Sequence, residues 1–462
     1  MEIGKINLQA SYQPLEEGFL WAKEQALDYI HEGDRVGKWY DAALPNREAF
    51  CMRDVSHQCN GAHFLGLQAF NKNMLKKFAE NISESKDFCS YWEINKDGKP
   101  APVDYKNDDD FWYNLPANFD VIDCCFRQYN WTGDETYIHD KDFNRFYHLS
   151  VDDYVKRWDK DDDGMMKKRG NVSYRGIASY LEGQVGDNDI VIGSDLIAAM
   201  YAGYKAYSHI LRLQDYLIPS EEMSNKAKYL KDLFNREWWS IKDQHYYTAI
   251  LSNGEKLVVN KENVKGNWEA FTPLPLYFDI TQEDNRKKVC LEVLDNCGGF
   301  NVETLSHIPD IYYKHGRVNE GFDTLMKLMS PSLKRREYPE VSYSVIGSIM
   351  TGLMGLSAKA AERLLITKPL LPQVVDWVNV SNIPLFDGEI DLKVSKDRMT
   401  LKQTQGSKMI WQPVFLGHYD TFDVNGETIK GTCVIQDDGE AVTQLFIEIE
   451  PCHTYTVQIN HQ

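Results

Sequence analysis

The chain has 462 residues, 43% of them hydrophobic and 26% charged, with 69 acidic against 51 basic side chains and a formal charge of -18. With 30 Gly and 16 Pro it is neither collagen-like nor low in complexity, and no window nears the roughly 18 unbroken apolar residues of a membrane span. An acidic surface repels phosphate backbones, so nucleic acid is not an expected partner.

From about residue 16 to 367 the pattern is helical. Spacing predicts helices over 15–31, 63–83, 119–129 and 151–158, then over Ser194–Leu213, where Leu196, Ile197, Met200, Tyr204, Tyr207 and Leu211 make an apolar stripe behind Ser194 as N-cap. Further helices are read over 226–238, 318–329 and 343–356, the last with Gly347, Gly352 and Gly355 where a neighbour approaches closely. About ten to twelve helices joined as consecutive hairpins fit this length. After the prolines at 369 and 372 the pattern alternates, in 389–394, 428–434 and 445–450, between turn signals such as Asn425-Gly426. The expected fold class is mainly α over residues 1–370, followed by a small antiparallel β-sandwich over 371–462.

The nine cysteines include no C-x-x-C pair and no zinc spacing. Free thiols in a reducing compartment are expected, and the first residues show no basic-then-apolar leader, so the expected location is the cytoplasm, or outside it if a leader was trimmed. Neither a metal nor an organic cofactor is expected. The oligomeric state is left open.

Aromatics are in excess, at 12% of the chain, and they stack on sugar C–H faces as readily as they fill cores. Four polar-aromatic clusters stand out. The first, 39–60, holds Arg47, Glu48, Arg53, Asp54 and His57; an Arg/Asp pair can fix vicinal hydroxyls. The second, 104–120, carries Trp112, Tyr113 and Asn114 before a proline, a candidate stacking platform, and Trp268 is carried with it. The third contains Asp159 to Gly164, which opens like a calcium loop but places Gly170 at the twelfth position, and the acidic loop Glu182 to Asp189. A carboxyl held by such a loop in an aromatic pocket keeps its proton for donation. The fourth, 335–343, holds Glu337 and Glu340, the latter at a helix mouth.

No G-x-S-x-G, G-x-x-x-x-G-K-[ST] or H-E-x-x-H motif is present, which leaves carboxylates, aromatics and arginines in a helical frame. The order REAFCMRDVSHQ, YNWTGDETYI, DKDDDG, GSDLIAAMYAGYKAY, NREWW, PLPLYFDI and YPEVSYSVIGSIMTGLMGL, then the proline-led β tail, resembles the six-hairpin glycosidases over most of the chain. The resemblance implies an (α/α)6 toroid acting on a carbohydrate, with Arg53 and Asp54 holding the sugar, Glu182 or Asp187 as general acid and Glu340 as general base. In the rhamnosidase-like branch the acid lies in the early motif, which moves that role to Glu48 or Asp54. The large N-terminal β-domain of many relatives and the Ser-Gly-x-Asp form of trehalase-like enzymes are both missing. The expected reaction is glycoside hydrolysis with inversion; a silent sugar binder, and an epimerase or lyase using His57 or His307, are the alternatives.

Overall fold

The computed structural model describes residues 2–168, 175–182, 184–185, 188–264, 271–297, 299–436 and 439–460. Its centre is a succession of packed helices. Met52–Phe64 lies against Ala117–Thr132, which lies against Ser194–Leu213; the succession continues through Leu274–Tyr277 and Ile308–Lys314. Ile308–Lys314 meets the π-helical turn Ile349–Leu353 that extends Pro339–Ser348, and Pro339–Ser348 returns to Met52–Phe64. Outside these sit Gln13–Asp28 against Pro339–Ser348, Leu217–Glu237 against Ser194–Leu213, and Val318–Met329 against Ile308–Lys314.

Sequence chemistry explains two of these approaches. A Cβ on Gly61 would lie 1.9 Å from the backbone oxygen of Tyr343, so the Met52 and Pro339 helices touch backbone to backbone there. At the head of Ser194–Leu213 the cap position belongs to Gly193 rather than to Ser194, and a Cβ on Gly193 would meet Asp195 Oδ1 at 2.3 Å. Asp195 therefore occupies the first turn, where a negative charge suits the helix dipole.

Helix makes up 41% and strand 27% of the structure, more sheet than the tail pattern alone indicates. A seven-stranded sheet runs in the order Asn7–Ala10, Trp377–Leu385, Gly388–Ser395, Arg398–Gln405, Thr454–Ile459, Thr421–Val424, Glu427–Lys430. Its first strand thus comes from the start of the chain. The second sheet orders Leu356–Lys359, Leu364–Thr367, Met409–Leu416, Ala441–Gln444 and Thr432–Ile435, with Ile447–Ile449 also on Met409–Leu416. One of its pairings, Leu364–Thr367 with Met409–Leu416, is parallel, where an antiparallel tail was expected. Strand structure also begins at Leu356, ahead of the prolines. Hydrogen bonds from Phe386 N–H to the Trp131 carbonyl (2.8 Å) and between His63 Nε2 and the Pro384 carbonyl (3.1 Å) brace the two inner helices on this tail. No helix among the described residues is long and apolar enough to cross a membrane.

Candidate active site

A cavity of about 480 Å³ opens over the central helices. Arg53, Ser56 and His57 reach it from Met52–Phe64, and Asp120, Asp123 and Arg127 from Ala117–Thr132. Tyr180, Leu181 and Glu182 come from the loop that leads toward Ser194–Leu213, while Phe271, Leu274, Tyr277 and Phe300 make an apolar wall. Glu303, His307 and Arg335 complete the lining. Polar groups and aromatic faces in one concave space are what a sugar requires.

Asp120 is the chemically distinctive group. It is 7% exposed, and burial pushes its pKa up to about 8 despite a hydrogen bond donated by the Tyr180 phenol to Oδ2. Its Oδ1 has no hydrogen-bond partner among the described residues. A carboxylic acid that keeps its proton at neutral pH is a proton donor in waiting. The Tyr180 segment is itself anchored: Asp195 Oδ2 accepts the Tyr180 backbone N–H at 2.6 Å and the Ser179 hydroxyl at 3.1 Å.

The arginines differ in their freedom. Arg127 is fully engaged, donating to Asp123 (2.7 Å), Asn60 Oδ1 (3.0 Å) and the Ser56 carbonyl (2.9 Å). Arg335 pairs with Glu303 at 2.8 Å. Arg53 donates through Nε to Asp54 at 3.4 Å and lies over the Tyr180 ring, 5.5 Å from its centroid, which leaves the end of its guanidinium for the cavity. Asp54 is buried behind it and accepts the Tyr338 hydroxyl at 2.7 Å.

Glu340 lies beneath the wall and does not line the cavity. It is 0% exposed, shares a 2.7 Å hydrogen bond between Oε1 and His57 Nδ1, and has no partner at Oε2 among the described residues; burial and the nearby Asp54 raise its pKa. His57 stacks on His307 with centroids 3.6 Å apart and planes 9° from parallel. Burial lowers the pKa of both rings, that of His307 to about 3, with Arg53 and Arg127 adding to the effect. His57, His307 and Glu340 hold donor atoms within 4.8 Å of one another, the spacing of a metal site. Coordinating lone pairs lie in the ring plane with metal–nitrogen bonds of roughly 2.0–2.1 Å. An ion in the plane of one stacked ring is out of the plane of the other, so this arrangement suits hydrogen bonding instead.

Several expected residues lie elsewhere. Glu48 is exposed and ion-paired to Lys96 at 2.7 Å, away from the cavity. Glu337 is exposed on the surface. Trp112, Tyr113 and Asn114 do not line the cavity: Tyr113 is packed at 0% exposure with its hydroxyl on Asn118 and Met52, and Asn114 is buried beside it. The aromatic run is therefore packing beneath a helix, because its alternate residues turn into the core of a short bridge with Arg175–Ile177. Asp187 and Trp268 lie outside the described residues. The calcium-like turn carries its own cation: Lys167 Nζ sits 2.6 Å from Asp161 and also pairs with Asp163, while Asp159 accepts the Gly164 N–H at 2.7 Å.

Asp120, Asp123, Arg127, Tyr180, Tyr277 and Glu303 were not singled out from sequence. The available signal was local: Asp120 is a carboxyl set between Phe119 and Val121-Ile122 in the first turns of its helix.

No family model matches this chain, and no curated protein matches it. Among solved structures it is similar to the α-L-rhamnosidase from Dictyoglumus thermophilum, at 13% identity and a TM-score of 0.66 over 100% of this chain and 50% of that one. It is also similar to an α-L-rhamnosidase from Aspergillus terreus (14% identity, TM-score 0.59, 97% of this chain and 50% of that one). A third is a putative kojibiose phosphorylase from the human microbiome (11%, 0.56, 96% and 63%). The likeness is one of fold, shared along nearly the whole of this chain with all three. The chain spans about half the length of the two rhamnosidases.

Proposed function

We propose that this protein is a glycoside hydrolase acting on an oligosaccharide or glycoside, built as an (α/α)6 toroid with a β-sandwich and working by inversion. The succession of inner helices that returns on itself supports the toroid, and we set its border with the sandwich near Leu356 rather than at residue 370. The observation that carries the reading is Asp120, a protonated carboxyl at the wall of a cavity shared with Glu182 and Glu303. Asp120 gives its proton to the leaving oxygen while the Tyr180 phenol holds its carboxyl at Oδ2. A second carboxyl group, Glu182 or Glu303, activates the water; in inverting enzymes the two carboxyl groups stand about 6.5–9.5 Å apart. Glu340 acts from behind His57 rather than on the water itself, because it has no exposed surface.

A screen of chromogenic α- and β-glycosides, with proton NMR of the first-formed anomer, tests the reading. Asp120→Asn should abolish turnover of substrates with poor leaving groups and spare activated aryl glycosides; azide should rescue the variant at the base, Glu182→Ala or Glu303→Ala, with an inverted glycosyl azide. Retention of configuration removes the inverting step.

A second reading, sugar epimerisation, has one observation in its favour: both His57 and His307 line the cavity. It predicts solvent deuterium at a carbon of a free sugar, whereas the hydrolase leaves C–H bonds untouched.

A further inference from the structure

The stacked histidines are too ordered to be filler. His307 Nδ1 lies 2.9 Å from the Glu303 carbonyl oxygen, which only accepts, so the ring hydrogen is on Nδ1 and Nε2 is a bare nitrogen. His57 meets a different partner, Glu340 Oε1 at 2.7 Å. Glu340 is fully buried and its Oε2 is without a hydrogen-bond partner among the described residues. An ionised carboxylate there would hold Oε2 buried without a donor, whereas the neutral acid needs a single donated bond, from Oε1–H to His57 Nδ1. That bond places the hydrogen of His57 on Nε2. Ser306 does not compete: its hydroxyl donates to the Glu303 carbonyl at 2.7 Å, and its oxygen is 3.4 Å from His57 Nδ1. The cations Arg53 and Arg127 nearby oppose a second proton on either ring.

We propose that His57 and His307 are a pair of opposite tautomers, an Nε2–H donor stacked on a bare Nε2 acceptor, and that together they clasp a hydroxyl group of a neutral sugar and set which sugar the cavity accepts. Neither Nε2 has a hydrogen-bond partner among the described residues, and both rings line the cavity. With centroids 3.6 Å apart, a donor and an acceptor side by side match one hydroxyl, which both gives and takes a hydrogen bond, or two hydroxyls on adjacent carbons. Two like tautomers would offer two donors or two acceptors and leave one unmatched. The proposal rests on the cavity being a sugar site, but the tautomers can be read without turnover. Glu340 and the Glu303 carbonyl are positioning groups, since each acts only by fixing a ring hydrogen.

The test uses the full chain labelled with ¹⁵N-histidine, its long-range ¹H–¹⁵N correlations assigned through His57→Gln and His307→Gln. Opposite tautomers between pH 6 and 8 are expected; the same tautomer in both rings, or an imidazolium in either, overturns the proposal whether or not the protein cleaves anything. The second measurement compares 4-nitrophenyl glycosides that the protein cleaves with their monodeoxy analogues. Removal of one hydroxyl should lower kcat/KM by roughly a hundredfold or more, because a site built to bind a hydroxyl rejects an analogue without it. In His307→Gln that ratio should shrink below about tenfold, while a merely structural loss would lower both substrates alike. A ratio unchanged in the variant overturns the clasp and leaves the hydrolase standing.

Discussion

Asp195 accepts the backbone N–H of Tyr180 at 2.6 Å, so the carboxyl that opens Ser194–Leu213 also holds the segment that presents Tyr180 and Glu182 to the cavity. Asp195→Asn keeps the shape and loses acceptor capacity. It should cost about 1–3 kcal/mol of stability and lower kcat more than it raises KM, checked by denaturant unfolding and steady-state kinetics.

Asp120 yields a pH prediction with a defined sign. Its folded pKa, near 8, is above the unfolded value, so the folded state holds a proton that the unfolded state gives up as pH rises from about 4 to about 8. Stability contributed at this site is therefore largest below that window and falls through it. Asp120→Asn should remove the fall, raising Tm relative to wild type at pH 8 but not at pH 4. Activity of the native chain should drop above about pH 8 as the donor proton is lost.

Gly61→Ala places a methyl 1.9 Å from the Tyr343 backbone oxygen, a clash that only separation of two inner helices relieves. We expect a loss of about 3 kcal/mol or more, at the upper end of overpacking, and a displaced contact between His57 and Glu340 at the cavity wall. Thermal melts and sugar affinity should fall together.

Calcium and chelators should change neither Tm nor activity, since the ammonium of Lys167 already stands between Asp161 and Asp163. Lys167→Ser should weaken the turn; a calcium-dependent rise in Tm in that variant alone would show the lysine to be standing in for an ion.

The periodic segments were legible from sequence because burial of one helix face is written every three to four residues: Ser194–Leu213 and Val318–Met329 match their predicted bounds. The predicted helix over 63–83 is Gln68–Glu80, its first two positions belonging instead to the end of Met52–Phe64, with the break at Gly66, whose φ of 84° no continuing helix allows. The site was legible in part. Arg53 and His57 face the cavity because they share a helix face, whereas Glu340 is turned inward by the same helix start that made it conspicuous. Asp120 escaped notice because nothing in its own neighbours reveals that Tyr180, sixty positions on, closes over it.

The strand Asn7–Ala10 finds its partner only in Trp377–Leu385, with Asn7 opposite Ser381. During synthesis that edge must therefore wait, its backbone groups unpaired, until residues 377–385 have left the ribosome. An early strand with a distant partner makes this sheet a checkpoint on synthesis: a chain stalled short of residue 377 leaves a sticky ribbon for proteases and chaperones to find.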